Sequence, residues 1–385
     1  MSTNGIYIVY DFENYKNKIY GQLTAMSNYG FNTYLLKISS EGICTFSYFC
    51  DEREEIIETL KIDNYSMHST KSKKILGDHL ETLLEKYNFK LIYIRRLGMN
   101  ISGWSLILKK IKKDNSRIIY YEIPTFPFDK VNSYKGTIVQ YLEKTYFKFF
   151  VYRYVDWIPV VIQNDCKLDK KMIEFNNAIN PKFINESYRY PEKVNGSFKI
   201  IAIAHVNYWH GYDRALRSIA AYKGDLTISL CIISNETKEL RNLKQLSKKL
   251  GIEKNIEFKS YEEIKDIKSV ANKFHIALGS LGYWRRNGKY DTSIKNKEYC
   301  ALGIPFILAN VDKSFSKSFA YQYKVQSDDS IFDMEEVIEW YRKIAETDYK
   351  KNMIDYATKY LGYELQMKEV LRDLYAIKNG PVKRD

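Results

Sequence analysis

Residues 279–292 read GSLGYWRRNGKYDT, a loop in which Gly279, Gly282 and Gly288 alternate with Arg285, Arg286 and Lys289. Glycines permit close backbone approach and the cations supply fixed positive charge. The loop leaves an apolar run ending at Leu278 and feeds a helical pattern opening near Ile294, with Thr292 or Ser293 as N-cap. A helix N-terminus carries about half a positive charge and unpaired amides, so loop and helix together predict a diphosphate site. The competing reading is a solvated basic loop. One turn into the helix, Lys295 and Glu298 share a face. Lys295 is placed to meet a phosphate, and Glu298 to accept hydrogen bonds from the vicinal hydroxyls of a ribose. The same spacing also suits an ordinary exposed ion pair.

A second loop, His205 to Arg214, follows the apolar run Ile200–Ala204. Gly211 lets a ligand approach its turn, Asp213 is a suitable N-cap, and His210 stands beside the same crevice. His205 and His210 have no cysteine or third histidine near them in sequence, so no metal site is expected here. Earlier in the chain, Glu122 closes an apolar run ahead of Ile123-Pro124, and Arg95-Arg96 follow Tyr93-Ile94. A carboxylate at a strand end faces the crevice and can meet a donor sugar or an acceptor. Capping of a neighbouring backbone is the alternative role for Glu122. The two arginines are placed for an acceptor phosphate.

These loops need strands and helices to hold them. Gly5–Tyr10, Asn32–Lys37, Lys90–Ile94 and Arg117–Tyr121 read as strands, and 18–29, 71–87 and 105–113 as helices. The alternation predicts a parallel sheet covered on both faces. Residues 181–197 carry two prolines and a glycine and are expected to link two domains, 1–180 and 198–359. The second series has strands at 198–205, 226–234, 256–258, 274–278 and 305–309, with helices at 213–222, 236–250 and 334–348. A long helical run, 349–377, ends the pattern; its part from about 360 is expected to pack back on the first domain. Residues 378–385 read as a polar tail.

With 385 residues the chain is long for one core and comfortable for two. Lysine and arginine total 60 against 47 acids, a net charge of +13 that attracts anions. Nucleic acid, nucleotide phosphates and an anionic membrane are the candidate partners. The 34 tyrosines suit base stacking, but no nucleic-acid module is recognisable, and a coding bias toward Lys, Tyr, Asn and Ile accounts for them equally. Five dispersed cysteines without a C-x-x-C pair fit free thiols in a reducing cytoplasm. No apolar run approaches the roughly 20 residues of a membrane span, and 1–10 do not read as a secretory signal. Residues 105–113 and 141–157 mix aromatics with cations, a pattern found at lipid interfaces and on ordinary solvated elements alike.

Taken together, HVNYWHGYDRALRSIAAY, GSLGYWRR and SIKNKEYCALGIPFI resemble the donor-binding half of retaining GT-B-fold glycosyltransferases of the family-4 type. The likeness is nearest to bacterial enzymes assembling capsule, exopolysaccharide or O-antigen repeats. LIYIRR and IIYYEIPTFPFD are similar to the segment such enzymes place at the interdomain cleft; 51–70 and 144–171 carry no matching motif. The resemblance implies an α/β fold of GT-B architecture, two Rossmann-like domains facing across a cleft. It implies transfer of a sugar from a nucleotide-sugar, UDP-sugar ahead of GDP-sugar, to a lipid-linked cell-surface polysaccharide, with retention. Glu298 would bind the ribose, Arg285 and Lys295 the diphosphate, Arg286 a second phosphate position, and Gly211 would border the donor. Glu122, His210 and Arg285 would be the catalytic set, and Arg95, Arg96 and Asp291 acceptor or sugar contacts.

The family's second glutamate, eight residues before Glu298, is Tyr290 here; its neighbour Asp291 is the candidate replacement. The family's histidine at the place of Glu122 is absent, as are the Arg and Lys flanking the first C-domain loop, where His210 would substitute. With no Asp-x-Asp at a strand end, no metal or other cofactor is expected, and the leaving group would be stabilised by Arg285, Lys295 and helix N-termini. The expected location is the cytoplasm, in peripheral contact with the inner membrane leaflet. A catalytically silent partner subunit and a basic nucleic-acid-binding protein are the other classes kept open. An epimerase or phosphorylase would need paired cleft acids or a pyridoxal lysine, which the motifs do not supply.

Overall fold

The computed structural model describes residues 3–10, 12–66, 69–96, 104–127, 134–185, 189–264, 266–372 and 374. The chain divides into two compact units. The first comprises 1–162, 166–176 and 363–385, and the second 163–165 and 177–362.

The first unit contains β1 (Thr3–Tyr10), α1 (Lys16–Asn28), β2 (Phe31–Ile38), β3 (Ile43–Cys50), β4 (Arg53–Lys61), α2 (Thr70–Tyr87) and β5 (Leu91–Arg95). It continues with α3 (Trp104–Ile111), β6 (Ile118–Phe126), α4 (Tyr134–Tyr146), β7 (Ile158–Ile162) and β8 (Met172–Glu174). The strand order is β4-β3-β2-β1-β5-β6-β7-β8. The expected parallel sheet holds from β2 to β8, but β3 and β4 are antiparallel. They form a hairpin turned at Asp51 and Glu52, both at positive φ, the geometry of tight hairpin turns. Neither residue is the usual glycine or asparagine, so the turn carried no sequence signal.

Side-chain alternation along the central strands assigns the two faces. Ile6, Ile8, Ile92, Ile94 and Ile119 pack with Leu76, Leu80 and Leu83 of α2 and Ile107 and Leu108 of α3. The intervening Tyr7 and Tyr93 stack at 4.9 Å and turn to the opposite face, where Tyr7 bonds Gln22 of α1.

The second unit contains β9 (Ser197–Ile203), α5 (Tyr212–Ala221), β10 (Thr227–Ile233), α6 (Lys238–Lys249), β11 (Ile256–Lys259), α7 (Ile267–Ala271) and β12 (Ile276–Leu278). There follow α8 (Ile294–Ala301), β13 (Phe306–Leu308), β14 (Gln322–Lys324), α9 (Met334–Ala345) and α10 (Tyr349–Tyr360). Its sheet is parallel throughout, in the order β11-β10-β9-β12-β13-β14. The expected linker begins inside this unit. Asn180 caps the turn Pro181–Phe183, and buried Asn185 donates its amide to the Ala301 carbonyl at 2.9 Å. The main run of the unit therefore starts at Asn177, ahead of 181–197.

A last helix, α11 (Tyr363–Val370), belongs to the first unit. A side chain at Gly21 of α1 would lie 2.2 Å from the Tyr363 ring, so α11 seats where α1 has none. The long helical run expected over 349–377 is thus two helices broken at Leu361-Gly362, and residues 378–385 lie outside those described.

Candidate functional site

In the second sheet the winding reverses between β9 and β12: β10 and β11 extend one way, β13 and β14 the other. The crevice at the carboxyl ends of two such strands is where open α/β sheets take ligands. Both chemistry-bearing loops issue from these strands. They touch: the Leu281 amide donates to the His210 carbonyl at 2.8 Å. Gly211 sits at φ 66°, and a Cβ there would be 2.6 Å from the Gly282 nitrogen. Only glycine serves at this crossing.

Gly211 is also the N-cap of α5, so no side chain caps that helix and its first turn stays open toward a ligand. Asp213, expected as the cap, instead lies in the first turn and pairs with Arg217 and Arg285.

Lys295 is the unusual side chain of the crevice. It is 7% exposed, and its Nζ makes no hydrogen bond among the described residues. The nitrogen stands 5.5 Å from the centre of the Tyr212 ring. Burial pushes the ammonium down to about 7, against the pull of Asp291. Ser280 Oγ and Ser293 Oγ are likewise buried without partners. Trp284 Nε1 and Asn296 Oδ1 on the same segment are also buried without a partner among the described residues, and since buried polar atoms are nearly always paired, the segment is a candidate ligand site.

Glu298, one turn on, makes no ion pair with Lys295 or with any other described residue. Burial pushes its carboxyl up to about 7, with Lys182 opposing. Its charge is felt by Tyr261, which is 39% exposed. The ion-pair reading of Lys295 and Glu298 is therefore not realised.

His210 stacks on Tyr212 at 5.5 Å. Its Nδ1 accepts the Asn207 amide at 3.0 Å, leaving Nε2–H to donate. Burial first, then Lys295, Arg286 and His205, hold its pKa well below the ordinary value, so the ring is neutral. Arg286 lies over Trp209 at 5.0 Å and Tyr283 at 5.3 Å. Its charge reaches His210. Lys295 and His210 thus gather around Tyr212, with the charge of Arg286 close enough to act on His210.

Arg285 is held away from this group. Its guanidinium forks onto Asp213 at 2.7 and 3.0 Å and also holds Asp329. Two carboxylates already neutralise it, so it braces the loop. Asp291 is spent too: it accepts the Ser293 amide at 2.9 Å and Asn296 Nδ2 at 3.1 Å, which fixes the loop ahead of α8. Tyr290 donates its hydroxyl to Asp165.

Sequence reasoning missed three supports. Buried Arg214 bonds the carbonyls of Leu281 and Ser330. Asn296 and Lys297 converge on Asp312, at 3.1 and 2.6 Å. An arginine or lysine in an amphipathic helix pattern gives no sign of being turned inward.

In the first unit Glu122 departs from its expected role. β6 continues to Phe126, so Glu122 is mid-strand and fully buried. Its Oε1 meets Lys18 at 2.9 Å and Arg95 at 2.6 Å. Its Oε2 accepts Gln22 at 2.8 Å and Tyr93 at 2.9 Å. Burial alone would raise the carboxyl, but Lys18 and Arg95 hold it at about 2. No lone pair is left for a sugar, and Arg95 is consumed in the same network. Arg96 forks onto Glu143 of α4. Among the described residues no cluster of histidine, cysteine and acids is arranged to hold a metal.

These two units have the fold of the GT-B glycosyltransferases. Similar solved structures include a glycosyltransferase from Rickettsia africae, with a TM-score of 0.67 and 14% identity over 98% of this chain and 99% of that one. The catalytic domain of starch synthase IV from Arabidopsis thaliana, bound to ADP and acarbose, gives 0.63 at 8% identity over 98% and 99%. Anabaena Alr3699/HepE, in complex with UDP and glucose, gives 0.61 at 9% over 97% and 100%. No protein-family model and no curated protein matches the sequence.

Proposed function

We propose that this chain moves a sugar from a nucleotide-sugar, UDP-sugar ahead of GDP-sugar, to a growing lipid-linked cell-surface polysaccharide, retaining the anomeric configuration. One observation carries the donor part: the buried Lys295 amine, without a hydrogen-bond partner among the described residues, beside the open first turn of α5. The shared fold and the UDP bound to Anabaena HepE support it. Transfer builds negative charge on the departing diphosphate while the sugar becomes oxocarbenium-like. Lys295, Arg286 and the α5 amides supply preset positive charge, and neutral His210 supplies a hydrogen bond through Nε2–H. Such preorganisation contributes several kcal/mol. Glu298, with no ion-pair partner among the described residues, takes the ribose hydroxyls. We take the reaction to need no obligatory divalent metal and to occur in the cytoplasm against the anionic inner leaflet.

Thermal shift with UDP, GDP, dTDP and CMP tests the donor site. A ligand at 100 times its Kd adds about 2.7 kcal/mol of stability. A rise with UDP or GDP that disappears in Glu298→Ala is expected; no rise with any nucleotide overturns the proposal. Donor hydrolysis that stops with EDTA and returns with Mg2+ would overturn metal independence.

A silent partner subunit is the second reading. It is favoured by the engagement of both Tyr290 and Asp291, which leaves no carboxylate at those positions for the sugar. Nucleotide binding with neither hydrolysis nor transfer would establish it.

A further inference from the structure

Helix α4 of the first unit is turned the wrong way for an ordinary surface helix. Ile138, Tyr141 and Leu142 fall at i, i+3 and i+4, the spacing of a core stripe. Yet Tyr141 is 69% and Leu142 59% exposed. The carboxylate of Glu143 faces inward and is buried against Arg96. The stripe continues through Phe149, 61% exposed, and Phe150, on a π-helical turn spanning Phe147–Val151. Isolated exposed apolar residues are commonplace; a contiguous stripe marks an interaction surface.

The neighbouring helix repeats the pattern. Strands β5, β6 and β7 are laid down in one direction across the sheet. Right-handed crossovers therefore set α2, α3 and α4 side by side on one face. The Ser105 hydroxyl of α3 meets the Tyr146 hydroxyl of α4 at 2.7 Å. Leu106 of α3 is 61% exposed. It borders a groove of 870 Å3 between α2 and α3 whose rim carries Lys71, Lys74, Lys109 and Lys113. Lys71, Lys74 and Lys109 have no ion-pair partner among the described residues; Lys113 pairs with Glu81. Lys148 stands within the aromatic turn.

We propose that the α2–α3–α4 face docks on an anionic lipid bilayer, with Leu106, Tyr141, Leu142, Phe149 and Phe150 entering the acyl boundary and the lysines at the headgroup plane. This deepens the lipid-linked reading above and rests on it for its purpose, not for its geometry. Charge selects the occupant. Apolar tips ringed by lysines match anionic headgroups over hydrocarbon. A second copy docked face to face would oppose lysine to lysine.

Co-sedimentation with vesicles tests this. One set is phosphatidylcholine alone; the other is equal parts phosphatidylcholine and phosphatidylglycerol. The whole chain should partition to the phosphatidylglycerol vesicles and scarcely to the others. The double variant L142N/F149N should lose about tenfold or more in partitioning. K71E/K74E/K109E should lose at least as much, since each lysine near anionic lipid contributes about fivefold. Both variants alter exposed side chains, so their melting temperature and UDP-induced thermal shift should match the parent. Equal binding to both vesicle types, or unchanged binding by L142N/F149N, overturns the membrane surface while leaving the nucleotide reading intact. So does a gel-filtration dimer that L142N/F149N dissociates, which would assign the face to self-association. Loss of the UDP shift in the parent chain would instead strike the donor site alone.

Discussion

Lys295 and Glu298 are three residues apart, yet neither is held by the other's charge. That isolation has a measurable sign. Glu298 is raised from 4.5 to about 7 by burial, so the folded chain holds a proton that the unfolded chain releases. The stability this contributes is complete below pH 4.5 and is lost as pH rises to about 7. Lys295 is lowered from 10.5 to about 7, so stability recovers as pH rises from about 7 to 10.5. The two groups together predict a dip near neutrality, with the larger change on the alkaline limb because Lys295 carries the larger shift. Urea unfolding across pH should show it in the parent chain. Glu298→Gln should flatten the acid limb and Lys295→Met the alkaline one; identical profiles would refute the assignment. At this scale the sequence was half legible. It singled out Lys295, Gly211 and His210, which the fold brings to one crevice, because phosphate chemistry restricts residue type and position strongly. It could not show that Arg285 is neutralised by Asp213 and Asp329, since Asp329 is 44 residues away. Nor could it show that Glu122 is closed in by Lys18, Arg95, Gln22 and Tyr93, contacts that exist only after the sheet has formed.

At the level of elements, the contact between the β9 and β12 loops decides the site. Gly211 is both hinge and helix cap, and its φ of 66° alone disfavours any side chain. Gly211→Ala adds a Cβ 2.6 Å from the Gly282 nitrogen, so the loops must part. We expect a loss of about 2 kcal/mol or more in urea unfolding and at least tenfold weaker UDP binding by calorimetry. Parent-like affinity would show that the loops need not touch to bind. The strands β1, β2, β5 and β6 of the first sheet and β9 to β13 of the second were readable from their apolar runs, whereas β7, β8 and β14 were not foreseen. Nor was the β3–β4 hairpin, because its turn residues are Asp51 and Glu52 and its outer strand is largely polar.

At the level of the whole molecule, the second unit's core is drawn almost entirely from one continuous stretch, 177–362, while the first unit needs both ends of the chain. Truncation after Gly362 would remove α11 and uncover Gly21 and its neighbours on α1. We expect the truncated chain to lose the first unit's cooperative unfolding step while its second unit keeps the UDP-induced thermal shift, as read by calorimetry. A truncated chain that melts like the parent would mean α11 contributes little. The route of the chain has a further consequence for synthesis. Domains ordinarily mature in the order in which the ribosome delivers them. Here the first-made unit must wait, unfinished, for a helix translated after the entire second unit, so the nascent polypeptide completes its second unit before the one that began it.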